Sequence, residues 1–87
     1  MIKQNEKMIS LTEDHIYFGG MHLSYRLLIT VGERFHLYRI RAEFGEEFDE
    51  VEVGSDLSQA MFCYQSVVRG GVTPCTLEEV VRDLKYA

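Results

Sequence analysis

The sequence predicts an α+β domain, a four-stranded antiparallel β-meander with two C-terminal α-helices packed on one face, and two observations carry that prediction. Gly19, Gly32 and Gly45 recur every thirteen residues between segments that alternate apolar and polar side chains, the pattern of strands joined by hairpin turns. After Gly54 the apolar period lengthens from two residues to the 3.6 of a helix.

The strands come first. Gly19-Gly20, Gly32-Glu33 and Gly45-Glu46 each suit a two-residue connection, because glycine reaches the positive φ that a tight turn in a twisted ribbon requires. These turns set the expected rows across the sheet. One face reads Thr12, Leu27, Tyr38, Val53, then Asp14, Tyr25, Ile40, Val51, then Ile16, Leu23, Ala42, Asp49, and is mainly apolar. The other reads Glu13, Arg26, Arg39, Glu52, then His15, Ser24, Arg41, Glu50. A slip of one residue would invert both faces, so apolar and charged patterns support the same register.

Two features of the charged face are candidate sites. Arg26, Arg39 and Arg41 stand among acids including Glu52, which makes a charge ladder and a candidate anion site. Leu11, Leu28 and Leu37 form an expected apolar row, with Phe35 beside them and Phe48 further along. A contiguous apolar patch on a solvated face marks a contact surface.

The helices follow. Leu57, Ala60, Met61, Tyr64, Val67 and Val68 make one helical stripe, capped by Ser55 or Asp56 and ended by Gly70-Gly71. Thr73 is the expected N-cap of a second helix with Pro74 at its first position, and Thr76 with Glu79 is the alternative start. Leu77, Val80, Val81 and Leu84 form its buried stripe.

Eighty-seven residues make a single domain, 1–87, with residues 1–7 expected as a flexible N-terminal segment. A net charge of -5 argues against nucleic acid, where cationic side chains supply most of the affinity. No apolar run nears the roughly twenty residues that span a bilayer, and MIKQNEKMISL lacks the apolar stretch of a secretion signal, so no membrane association and a cytoplasmic location are expected.

The stretch from about Tyr25 to Tyr86 resembles a family of small uncharacterised bacterial proteins of unknown function, found mostly in Gram-positive anaerobes. VVRGGVTPCTLEEVVRDL looks like the family's helix, small polar turn, Val-Thr-Pro and short acidic helix, and YRLLITVGERFHLYRI resembles its paired strands. Phe35, His36 and Leu37 depart from the Tyr-Gly-Ile-like step of the family's third strand. The resemblance implies no catalytic or ligand residues.

Chemistry is sparse. His15, His22 and His36 are not expected to converge, no HxH, CxxC or HExxH spacing occurs, and no metal or cofactor is expected. Cys63 lies beside a buried helical stripe, where a thiol behaves as a small hydrophobe. The leading expectation is a non-enzymatic interaction or regulatory module, a homodimer or the binder of another protein, joined through the outer sheet face or an edge strand. One alternative is a small-ligand sensor with a pocket between sheet and helices, drawing on Tyr25, Tyr38, Tyr64 and His36. Another is a small hydrolase using Cys63 or Cys75 with His36.

Overall fold

The computed structural model describes residues 6–86. Strands β1 (Lys7–Phe18), β2 (Met21–Val31), β3 (His36–Phe44) and β4 (Glu47–Gly54) form one antiparallel sheet in the order β1-β2-β3-β4. Helix α1 (Leu57–Gly70), a single 3-10 turn (Pro74–Thr76) and helix α2 (Leu77–Lys85) complete the chain. The meander with two C-terminal helices is therefore the architecture that the alternation and the later change of period predict. Of the expected flexible segment 1–7, residues 1–5 lie outside the described residues, whereas Lys7 already pairs with Val31 at the start of β1.

The first hairpin has the expected register from Thr12 opposite Leu27 to Phe18 opposite Met21. Gly19 and Gly20 both take positive φ, 55° and 78°, as a type I′ turn requires. The third hairpin also agrees, from Arg39 opposite Glu52 to Phe44 opposite Glu47. Two bulges interrupt the ladders. Ser10 faces Leu28 while Thr12 faces Leu27, which leaves Leu11 as the extra residue, and Tyr38 faces Gly54 rather than Val53.

The second hairpin differs from expectation. Val31 faces His36, so the connection is the four residues Gly32, Glu33, Arg34 and Phe35, closed by the Gly32 N–H donating to the Phe35 carbonyl at 2.8 Å. Gly32 does not take a positive φ. Its role is steric: a β-carbon there would stand 2.2 Å from the Phe35 ring, which lies over the loop. The register moves by two residues, which preserves the faces but changes the rows. Arg26 stands opposite Arg41 rather than Arg39, and Leu28 opposite Arg39 rather than Leu37.

The core lies between the apolar sheet face and the helices. Leu23, Tyr25, Leu27, Ile40, Ala42 and Val53 are fully buried against Ala60, Cys63, Val67 and Leu77. Alternation supplies the sheet's half and the 3.6 period the helices' half. The helical layer is offset. Helix α2 packs chiefly on β4, α1 spans β2 to β4, and the substantial contacts of β1 are with β2 alone.

Capping accounts for the helix ends. Asp56 Oδ1 accepts from the Ser58 N–H at 3.0 Å. Gly71, at φ 60°, closes α1 with its N–H on the Val68 carbonyl, and the Val72 N–H reaches the Val67 carbonyl, the two bonds of a Schellman motif. Gly70 itself stays helical. Thr73 precedes Pro74 as expected, but its side chain makes no capping bond, and Pro74 opens a 3-10 turn before α2 begins at Leu77. Among the described residues no helix is long and apolar enough to cross a membrane.

The fit of Phe35 over Gly32 is testable by a double-mutant cycle. Gly32→Ala is expected to cost about 1–3 kcal/mol in urea unfolding, as overpacking does. In a Phe35→Ala background the same change should cost clearly less, and strict additivity would refute the packing role.

Candidate functional site at the uncovered strand

The offset of the helices leaves an open cleft of about 550 Å³ between β1 and α1. Its apolar lining is Leu11, Leu27, Met61 and Val68, and its polar lining is Thr12, Asp14, Tyr64, Gln65 and Arg69. The β1 residues reach it because the inner face of a strand presents alternate positions, and the bulge adds Leu11. The α1 residues reach it because Met61, Tyr64, Gln65 and Val68 recur at helical spacing.

Asp14 and Tyr64 organise the cleft floor. The buried Tyr64 hydroxyl lies 2.7 Å from Asp14 Oδ2, to which it donates, and 3.3 Å from the Tyr25 carbonyl. Burial, reinforced by the Asp14 carboxylate, pushes the Tyr64 phenol far above its ordinary range, so it serves as a fixed donor. This explains an acid on the apolar face: Asp14 satisfies a buried hydroxyl. Arg69, in the last turn of α1, has no ion-pair partner among the described residues. The cleft thus has an acid, a cation and an apolar floor. Of the residues expected to furnish a pocket, only Tyr64 lines it. Tyr25 instead donates to the Val72 carbonyl at 2.8 Å, and His36 Nε2 lies 3.1 Å from the Ser55 carbonyl and edge-on to Tyr38.

The expected outer patch is not contiguous. Leu28 is only 6% exposed and Leu37 half-buried, Phe35 covers Gly32, and Phe48 stands near the far turn with the Arg41 guanidinium 4.1 Å above its ring. Leu11 lines the cleft on the opposite side, because the bulge removes it from the outer row. The more continuous apolar strip faces inward. Ile9 is 49% exposed and Leu11 47%, with Val31, opposite Lys7, also open.

Carboxylates fill the candidate anion site. Arg26 Nε bonds Glu13 at 3.0 Å, Arg41 Nε bonds Glu43 at 2.9 Å with Glu50 at 3.6 Å, and Arg39 reaches Glu52 at 4.0 Å. Arg39 Nε and Thr30 Oγ1 are buried without a hydrogen-bond partner among the described residues. The hydrogen bond from Arg41 holds the Glu43 carboxyl below its usual range, and that from His15, with Arg26 adding, does the same for Glu13.

The histidines do not all stand apart. His15 Nδ1 lies 2.8 Å from His22 Nε2, and His15 Nε2 lies 2.6 Å from Glu13 Oε2. Their proximity was legible in the first hairpin, since His15 opposite Ser24 and Tyr17 opposite His22 makes the histidines diagonal neighbours on one face. The cysteines offer no such arrangement. Burial raises the Cys63 thiol, Cys75 is exposed and 3.4 Å from Thr73 Oγ1, and neither is hydrogen-bonded to a histidine among the described residues. Comparison with known protein families, curated proteins and solved structures returns no match.

Tyr64→Phe is expected to destabilise by about 1–3 kcal/mol in chemical denaturation by leaving Asp14 and the Tyr25 carbonyl short of a donor, whereas Asp14→Asn, which keeps an acceptor, should cost less. The acid limb has a defined sign. Glu43 has a lowered folded pKa, so its contribution is present above the unfolded value near 4.5 and is lost as pH falls through the lower folded value. Glu43→Gln should flatten the decline of stability below pH 4.5 measured by urea unfolding.

Proposed function

We propose that this chain is a non-enzymatic interaction module whose contact surface is β1, and that the occupant is a second copy of the chain. One observation carries the reading: β1 is a twelve-residue edge strand whose inner face is open along Lys7 to Leu11. An edge strand offers unpaired N–H and C=O groups to another chain, and half-exposed apolar residues beside it favour burial. The order of charge along β1 selects a second copy. Lys7 stands at one end, Glu13 and Asp14 towards the other, and Met8, Ile9 and Leu11 between them. An antiparallel pair of β1 strands centred near Ser10 brings each Lys7 towards the acids of its mate and the apolar residues together, as a two-fold interface requires. A reducing cytoplasm suits the two unpaired thiols of Cys63 and Cys75.

A second reading rests on Asp14 and Arg69 sharing one cleft. Opposite charges over an apolar floor fit a small zwitterionic ligand with an apolar body.

Sedimentation equilibrium across a wide concentration range tests the first reading. The protein should dimerise, Ile9→Glu with Leu11→Glu should make it monomeric with unchanged far-ultraviolet circular dichroism, and Phe48→Glu on the outer face should leave the dimer intact. A monomer at every concentration, or a dimer indifferent to the paired substitution, overturns it. A rise in melting temperature with amino acids, lost in Asp14→Asn and Arg69→Gln, would favour the second.

A further inference from the structure

A second set of chemical groups gathers on the outer face of the first hairpin, away from the β1 groove. The Glu13 carboxylate, a hydrogen-bond acceptor, stands between Arg26 and His15. Its Oε1 accepts from Arg26 Nε at 3.0 Å, and its Oε2 lies 2.6 Å from His15 Nε2. His15 therefore carries its hydrogen on Nε2, and the lone pair of a neutral ring lies on Nδ1. That nitrogen points at His22 Nε2 across 2.8 Å, with the ring centroids 5.0 Å apart and the planes inclined by 22°. The two rings meet nearly edge to edge. Tyr17 stacks on His22 at 4.4 Å and 6°, which restrains that ring from the other side.

This is the supporting arrangement of metal-binding histidines. A carboxylate on the far ring nitrogen fixes the tautomer and raises the basicity of the near one. With metal–nitrogen bonds of about 2.0–2.1 Å, two imidazole nitrogens at adjacent square-planar or octahedral positions stand about 2.9 Å apart, and at tetrahedral positions about 3.4 Å. The observed 2.8 Å is a hydrogen bond with the two nitrogens aimed at each other, and it equals the spacing of the adjacent, right-angled case, so a rotation of both rings that turns their lone pairs to one side presents them to a shared ion. That geometry with nitrogen ligands suits Cu²⁺ or Ni²⁺, and Cu²⁺ binds most tightly in the divalent series.

We propose that His15 Nδ1 and His22 Nε2 bind one divalent late transition-metal ion, Cu²⁺ by preference, in adjacent coordination positions. The hydrogen that bridges the two nitrogens moves to His22 Nδ1 through solvent, so that each ring stays neutral and gives one lone pair to the metal. Among the described residues no group of three or more His, Cys, Asp or Glu side chains surrounds a metal position, so water completes the coordination. The site is reachable, since the His15 side chain is 38% exposed.

The test titrates the full chain with CuCl₂ in a non-chelating buffer, followed by calorimetry and electron paramagnetic resonance. One equivalent of Cu²⁺ should bind with nitrogen hyperfine structure, ahead of Ni²⁺ and Zn²⁺. His15→Gln and His22→Gln should each weaken binding at least about tenfold, Glu13→Gln should weaken it by a similar or smaller factor, and His36→Gln should leave it unchanged. Circular dichroism establishes that the variants are folded. Absence of Cu²⁺ binding, or binding that survives both His15→Gln and His22→Gln, overturns the proposal.

Discussion

Everything in this fold is arranged around the need to keep the inner face of β2 dry. Leu23, Tyr25 and Leu27 are fully buried there, and each large side chain so buried contributes about 1.5–3 kcal/mol relative to exposure. Neighbouring strands cover their flanks and the helices their tops. β2 is also where polar bonds tie the layers together. The Tyr25 hydroxyl holds the Val72 carbonyl just beyond the Schellman cap, and the Tyr25 carbonyl lies within reach of the Tyr64 hydroxyl. A buried tyrosine must place its hydroxyl, and here two of them use that need to position the loop between the helices and the edge of the sheet.

The same constraint explains why one margin of the sheet is open. A short two-helix layer centred on β2 to β4 meets β1 only marginally, and Tyr64 bonding to Asp14 is a polar link across the resulting gap. The cleft, the half-exposed Ile9 and Leu11 and the unpaired edge are thus three aspects of one mismatch between a wide sheet and a narrow helical layer. The opposite face is closed by different means: each arginine there meets a glutamate, and Leu28 sinks beneath its neighbours.

The fold was legible where local rules suffice. Alternation, the Gly19-Gly20 and Gly45-Glu46 turns and the change of period after Gly54 identify every strand and helix. The Gly32 connection was not, because its glycine answers to the bulk of Phe35 rather than to a φ angle, and only packing reveals that. A shift of two residues keeps every side chain on its face, so hydrophobic patterning cannot detect it. The bulge at Leu11 was likewise invisible, and with it the fact that Leu11 belongs to the cleft. The histidine pair could have been read from the correct first hairpin, by comparing diagonal as well as opposite positions.

The attachment of β1 also bears on motion. A strand held chiefly by one ladder, with Asp14 on Tyr64 as its tie to the helices, can detach while the β2–β4 core and both helices stay assembled. Strand β1 is therefore a separable unit, with the glycine pair at its turn as the pivot. A second copy paired along β1, as proposed above, would hold that strand in place and so oppose the first step of unfolding.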